Sequence, residues 1–94
     1  MTYKLEFHPA ALKEWGKLGD TVKEQLKKKL SERLDNPRVP GDRIGTDRYK
    51  IKLKASGFRL VYQVIDDRLI VYVLSVGRRE RLEAYAKAGA RKIE

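Results

Sequence analysis

The residues best suited to chemistry in this chain are cations that recur at every second position of one short segment. Residues 49–54 alternate three apolar side chains (Tyr49, Ile51 and Leu53) with three lysines (Lys50, Lys52 and Lys54). Side chains alternate between the two faces of a β-strand, so the three lysines point to the same side. Ammonium groups collected in this way attract anions, and the anion that we expect here is a phosphate.

The excess of cations extends beyond this segment. Residues 43–59 contain one acid, Asp47, and six cations, which are Arg43, Arg48, Lys50, Lys52, Lys54 and Arg59. Arg78, Arg79 and Arg81 follow the last predicted strand and can bring further cations to the rim. One alternative is an ordinary solvated face of a sheet. The near absence of acids favours a binding surface, because like charges that face each other destabilise a sheet.

A hairpin is expected to bring Arg59 to the lysines. A two-residue turn at Ser56 and Gly57 would place Lys54 opposite Arg59, with Lys52 opposite Val61 and Lys50 opposite Gln63. The same register pairs apolar residues on the other face: Leu53 with Leu60, Ile51 with Tyr62, and Tyr49 with Val64. A slip of one residue would bury the lysines, so burial favours this register.

Composition narrows the classes of function. The chain has 94 residues, 22 Lys and Arg against 13 Asp and Glu, a net charge of +9, one histidine and no cysteine. This length suits a single domain over residues 1–94, without a separate cofactor domain. The absence of cysteine excludes disulfides and thiolate metal sites. The single histidine, His8, has no histidine partner with which to hold a catalytic zinc ion. We therefore expect neither a metal nor a cofactor. Without a membrane span or a signal peptide, we expect a cytoplasmic protein with no membrane partner.

Periodicity predicts the elements that carry these residues. A strand over residues 2–7 is followed by a helix from Pro9 to about Gly19, and then by a second helix with a capping box at residues 21–24. A loop over 37–48 precedes strands at about 49–54, 58–65 and 69–76, and a short last helix includes Tyr85. The order β-α-α-β-β-β-α predicts an α+β fold, a small antiparallel sheet packed by two N-terminal helices and a short C-terminal helix.

Three other features favour structural interpretations. Lys27, Lys28 and Lys29 fan around a helix, which indicates a solvated surface. Trp15 lies on the apolar stripe of the first helix and is expected in the core. His8 precedes a proline at a helix start and is expected to be structural.

Three stretches together are typical of one family. LKEWGKLGDTVKEQLKKKL, YKIKLKASGFRLVYQVID and SVGRRERLEAY resemble RelE toxins of toxin–antitoxin pairs, and the resemblance covers about residues 3–88. It implies the same α+β fold and a ribosome-dependent mRNA endoribonuclease that cuts the codon in the ribosomal A site after its second nucleotide. It also implies a RelB-like antitoxin, a ribosome with mRNA in the A site, and operator DNA bound only through the toxin–antitoxin complex.

The resemblance also assigns residues. The family's catalytic positions fall on Lys50, Lys52, Arg59, Arg79 and Tyr85, and Lys54 matches a further basic position. With the charge pattern, we expect Arg43, Arg48, Lys54, Arg78 and Arg81 to bind RNA.

These residues suit cleavage without a metal, in which the 2′-hydroxyl attacks the adjacent phosphorus. Arg59 and Arg79 would hold the nonbridging oxygens. Tyr85 or Lys52 would act as the base, and Lys54 or Arg79 would lie near the leaving group.

Two other functions stay open at this point. A non-catalytic RNA- or ribosome-binding module usually stacks bases on exposed aromatics, but Tyr49, Phe58 and Tyr62 are predicted to face the core, which leaves Tyr72 and Tyr85. A DNA-binding regulator ranks lower, because no recognition helix is evident.

Overall fold

The computed structural model describes residues 2–54 and 56–78. Their elements are β1 (Lys4–Phe7), α1 (Pro9–Gly16), α2 (Asp20–Asp35), a 3-10 helix (Pro40–Asp42), β2 (Arg48–Lys52), β3 (Phe58–Ile65), a second 3-10 helix (Asp66–Arg68) and β4 (Ile70–Arg78). The predicted order of strands and helices is confirmed as far as β4. The predicted C-terminal helix with Tyr85 lies outside the described residues.

The four strands form one mixed sheet in the order β1-β4-β3-β2. β2, β3 and β4 are antiparallel, as predicted, but β1 runs parallel to β4, with Lys4 beside Ile70 and Phe7 beside Val73. The α+β class is therefore confirmed, whereas the expectation of a wholly antiparallel sheet does not hold for β1. Short hairpin turns force antiparallel pairing, but β1 is joined to β2 through two helices, and so long a connection permits either direction.

The hydrophobic core lies between the two helices and one face of the sheet. Its buried residues are Ala11, Leu26 and Leu30 from the helices and Tyr49, Ile51, Leu53, Leu60, Tyr62, Val64, Val71, Val73 and Val76 from the sheet and its turn. Trp15 packs against this core, as predicted, and its ring centroid lies 5.4 Å from that of Phe7.

The helix boundaries differ from the predicted ones by a few residues. α1 begins at Pro9, where the Nδ1 atom of His8 accepts a hydrogen bond from the Ala10 amide at 3.1 Å, so the structural interpretation of His8 is confirmed. α1 ends at Gly16, and Gly19 instead precedes α2, which begins at Asp20 without a side-chain cap. The predicted capping box is therefore wrong. Asp20 takes the first position of α2, where its negative charge suits the helix dipole.

The β2–β3 hairpin has a different register from the predicted one. Tyr49 pairs with Tyr62, Ile51 with Leu60, and Lys52 with Arg59, a shift of two residues. The connection is longer than two residues, because the Leu53 and Phe58 backbones are joined (N–H to O, 2.9 Å) and the Gly57 amide donates to the Leu53 carbonyl at 2.9 Å. A shift of two keeps every side chain on its predicted face, so the predicted core face is confirmed.

Candidate functional site

The cations of β2 and β3 share the sheet face opposite the core, which we call the cationic face and define by Arg48, Lys50, Lys52 and Arg59. Lys52 lies directly opposite Arg59, and Arg59 lies opposite Gly77 of β4. In the next row, Lys50 lies opposite Val61, and Val61 opposite Ser75. Lys52 is exposed, and Lys50, Arg48 and Arg59 are partly exposed. The face thus has cations on β2 and β3, with Gly77 and Ser75 of β4 beside them and Tyr72 of β4 in the row of Arg48 and Gln63.

A β-bulge in β4 sets which residues reach this face. Tyr62 pairs with Val73 and Val61 pairs with Ser75, so Leu74 is an extra residue between them. The extra residue shifts the alternation of β4 by one position. Ser75 therefore joins Val61 on the cationic face, and both are fully buried.

A pocket of about 230 Å³ lies at the hairpin end of the cationic face. It is lined by Lys52, Leu53, Lys54, Gly57 and Arg59. Lys54 does not pair with Arg59, contrary to the predicted register, but its place in the turn still brings it to the same pocket. The structure therefore brings together Lys52, Lys54 and Arg59, three of the residues predicted to act on a phosphate.

The other predicted cations lie farther along the sheet. Lys50 is two residues from Lys52 on the same face, and the Arg48 Nε donates to the Gln63 side chain at 3.4 Å. Arg43 lies beside the outer edge of β2, where its backbone bridges to Tyr49 and its Nε donates to the Gly45 carbonyl at 2.9 Å. Arg43 is thus held in its own loop and does not line the pocket.

The remaining predicted site residues fall at or beyond the end of β4. Arg78 closes the strand, and its backbone pairs with Phe58, next to Arg59. Arg79, Arg81 and Tyr85 lie outside the described residues.

Arg33 of α2 supports the site from the core side, and the sequence analysis missed it. Its guanidinium donates to the Lys50 carbonyl at 3.2 Å and to the Tyr62 hydroxyl at 2.9 Å, and it forms an ion pair with Asp42. Only 14% of its side chain is exposed. One signal was available: Arg33 lies seven residues after Leu26, on the apolar stripe of α2.

Tyr62 continues this network to the loop. Its hydroxyl donates to the Pro37 carbonyl at 2.6 Å. Burial raises the pKa of Tyr62, while the neighbouring Arg33 partly opposes that rise. The hydroxyl therefore stays protonated at neutral pH and keeps its role as a donor.

A second network fastens the 37–48 loop to the far end of the sheet. Arg38 donates to Asp47 at 2.9 Å, to Asp66 at 2.6 Å and to the Tyr49 hydroxyl at 3.3 Å. The Tyr3 hydroxyl also donates to Asp66 at 2.6 Å. These hydrogen bonds, from Arg38 first and Tyr3 second, hold the pKa of Asp66 below its usual value. The loop that carries Arg43 is therefore tied to both β2 and the β3–β4 turn.

Within residues 2–54 and 56–78, no three His, Cys, Asp or Glu side chains converge in a way that would hold a metal ion. None of the helices described is long and apolar enough to cross a membrane. The described part of the site therefore offers cations and hydrogen-bond donors, which suit an anionic ligand.

Comparisons with known proteins agree on one family. The family model for the ParE toxin of the type II toxin-antitoxin system parDE matches residues 5–83. The mRNA interferase toxin RelE of Escherichia coli K12 is 58% identical over 90 residues, which cover 94% of this chain and 95% of that protein.

Solved structures of E. coli RelE have the same fold. A double arginine-to-alanine variant of the free toxin superposes with a TM-score of 0.90 at 54% identity, covering 99% of this chain and 100% of that one. The toxin in the intact E. coli RelBE toxin–antitoxin complex superposes with a TM-score of 0.79 at 58% identity, covering 81% and 95%.

Proposed function

The chain belongs to the RelE/ParE family of toxins from type II toxin–antitoxin systems, and we propose that it is an mRNA endoribonuclease that inhibits translation. It cuts the codon in the ribosomal A site, and a cognate antitoxin neutralises it. The proposal covers residues 1–94 as one toxin domain in the cytoplasm.

The observation that carries this proposal is the pairing of Lys52 with Arg59, beside Lys54, around one pocket. In the proposed reaction the ribose 2′-oxygen bonds to the adjacent phosphorus and the bond to the 5′-oxygen breaks, which leaves a 2′,3′-cyclic phosphate. A base takes the 2′-hydroxyl proton, and an acid gives a proton to the 5′-oxygen. Cations fixed around the phosphorane stabilise the charge that develops on its nonbridging oxygens.

Roles follow from residue chemistry. Arg59 and Arg79 donate to the nonbridging oxygens, because a guanidinium presents paired donors to a phosphate. Lys52 or Tyr85 is the base, and Lys54 or Arg79 serves the leaving oxygen. Single-turnover rates of Arg79→Ala and Tyr85→Phe test these assignments, and cleavage at the wild-type rate would remove that residue from the mechanism.

The ribosome supplies what this pocket lacks. Histidine and carboxylate, the usual proton-transfer groups at neutral pH, are absent from its described lining. Orientation of reacting groups can lower a barrier by several kcal/mol, about 7–11 at the upper end. We therefore expect efficient cleavage only where the ribosome presents the codon in a reactive geometry.

The partner of the free toxin is a RelB-like antitoxin. The net charge of +9 suits an acidic segment that covers the cationic face. Operator DNA is bound only through the toxin–antitoxin complex, with the antitoxin providing the DNA-reading element.

A base-stacking RNA module has less support, although it retains one candidate platform among the described residues, the partly exposed Tyr72 opposite Gln63. Tyr49 and Tyr62 are 4% and 0% exposed, so neither offers a platform for a base. Phe58 is partly buried against the same core.

The test maps the 3′ ends of mRNA after the purified protein is added to a ribosome complex with an empty A site. Naked RNA is the parallel substrate. A single cut in the A-site codon, absent from naked RNA, is expected. Cutting of both substrates would keep the nuclease but remove the ribosome's role. Binding to the ribosome without any cut would replace the enzyme with the binding module.

A further inference from the structure

A second and larger depression adjoins the pocket. This groove, which we call the α2 groove, has a volume of about 510 Å³ and is lined by Gln25, Lys28, Lys29 and Glu32 of α2 and by Lys52, Leu53 and Lys54. Lys52, Leu53 and Lys54 also line the pocket beside Arg59. The two depressions therefore adjoin at these three residues.

Only two of the three consecutive lysines of α2 line the α2 groove. Lys28 and Lys29 line the groove, whereas Lys27 lines an apolar depression elsewhere on the helix and lies 3.9 Å from Glu24. All three lysines are exposed, as predicted. The structure thus places two of them beside Lys52, Leu53 and Lys54, which also line the candidate site.

The electrostatics of the α2 groove suit a polyanion. Four lysines (Lys28, Lys29, Lys52 and Lys54) line it against one acid, Glu32. In the part of the chain that the structure describes, none of the four forms an ion pair. An ammonium on a flexible stem contacts backbone phosphates without reading sequence. Because Leu53 is only 7% exposed, the side chains that a ligand would meet in the groove are mainly charged or polar.

We propose that the α2 groove binds the phosphodiester backbone of RNA next to the scissile phosphate, with Lys28 and Lys29 as its outer contacts. This inference rests on the proposed function, which places the scissile phosphate in the adjoining pocket. The RNA is either the flanking message or ribosomal RNA, which present the same phosphate chemistry. Lys28 and Lys29 act in binding and take no part in proton transfer.

The test compares Lys28→Gln with Lys29→Gln in one protein against a control that carries Lys17→Gln with Lys27→Gln. Both proteins lose two exposed charges, but Lys17 and Lys27 do not line the α2 groove. Affinity for programmed ribosomes is measured at several salt concentrations on a message with a 2′-deoxy A-site codon, so that binding is read without cleavage. Cleavage of the normal message is measured separately.

The groove variant is expected to bind more weakly and to lose about 1.4 from its logarithmic salt slope, because each phosphate contact on a single strand contributes about 0.7. Its maximal cleavage rate should stay unchanged while its half-saturating concentration rises. Messages cut short on either side of the A-site codon separate the two sources. If the variant's loss of affinity disappears on a shortened message, the groove contacts the message. If the loss of affinity persists, the groove contacts ribosomal RNA.

Equal weakening by the control, or no weakening by the groove variant, would overturn the inference. So would a groove variant that cleaves normally but resists neutralisation by the antitoxin, because the occupant would then be a protein segment. If the wild type binds the 2′-deoxy complex but never cuts the normal message, the proposed function fails while the salt slope still tests the groove.

Discussion

Lys52 and Arg59 lie directly opposite each other on neighbouring antiparallel strands, with no acidic side chain among the described residues that line their pocket. Cross-strand partners of like charge destabilise a sheet. Two cations fixed side by side suit a ligand that carries negative charge. The phosphorane proposed for this pocket carries the charge that both side chains would face.

Lys52→Gln is therefore expected to separate activity from stability. Loss of one preorganised cation should lower single-turnover cleavage by about 10²–10³-fold, while the midpoint of thermal unfolding stays the same or rises. Lys17→Gln removes an exposed charge outside the pocket and serves as the control. A Lys52→Gln protein that cuts at the wild-type rate would contradict the proposed site.

Arg33→Met is expected to destabilise the fold. The substitution keeps an unbranched apolar stem but leaves Asp42 and the Tyr62 hydroxyl without their donor. The expected loss is about 2 kcal/mol in the free energy of unfolding, below the range for a fully buried pair because both side chains are partly exposed. Urea unfolding measures it.

A double-mutant cycle provides the control for Arg33. Asp42→Asn removes the charge on the other partner, and the two losses should sum to more than the loss in the combined variant. Strict additivity would mean that the ion pair between Arg33 and Asp42 contributes nothing.

Gly57→Ala is expected to lower stability by about 1–2 kcal/mol. Gly57 has φ +75, and a Cβ there meets no atom within 4 Å, so the cost comes from the backbone alone. Gly41→Ala is the matched control, because its Cβ also meets no atom but its φ is not positive. Equal effects of the two substitutions in thermal unfolding would rule out backbone strain as the cause.

Asp66 is expected to contribute to the acid sensitivity of the protein. Arg38 and Tyr3 hold its folded-state pKa below the unfolded value, so its contribution is complete above the unfolded pKa of about 3.9. That contribution is lost as the pH falls through the folded-state pKa.

Asp66→Asn should therefore be less stable than the wild type at neutral pH, and the difference should shrink in acid. Urea unfolding from neutral pH to below about pH 3 follows this change. Asp67→Asn, which removes a neighbouring carboxylate outside these hydrogen bonds, is the control. A constant difference across the pH range would contradict the assignment.

The sequence by itself determined which face each residue of β2 and β3 takes. Alternation of Tyr49, Ile51 and Leu53 with the lysines has a period of two, and that period depends only on backbone geometry. For the same reason Lys50 and Lys52 were placed on the opposite face, and helical spacing in the same way placed Trp15 in the core. These are local properties, and the structure confirms them.

The tertiary structure decided the relationships between elements. The loop that ends at Gly57 shifts the hairpin register by two residues from the predicted one. As a result Arg59 lies opposite Lys52 instead of Lys54. The parallel direction of β1 depends on which edge of the sheet remains available after the helices have packed. Such outcomes are set by loop geometry and by contacts between residues far apart in sequence, which no local pattern encodes.

Arg33 and the lysines of α2 show, for single side chains, the same difference between what the sequence determined and what the tertiary structure decided. Helical spacing places Arg33 on the apolar stripe of α2 and the lysines on its surface, but either position becomes a support or a binding groove only when another element packs beside it. The contact of Arg33 with the Lys50 carbonyl joins residues seventeen apart, and the α2 groove forms only because Lys28 and Lys29 lie next to the end of β2. Burial and shared surfaces therefore arise from the packed chain, whereas alternation and helical spacing were already present in the sequence.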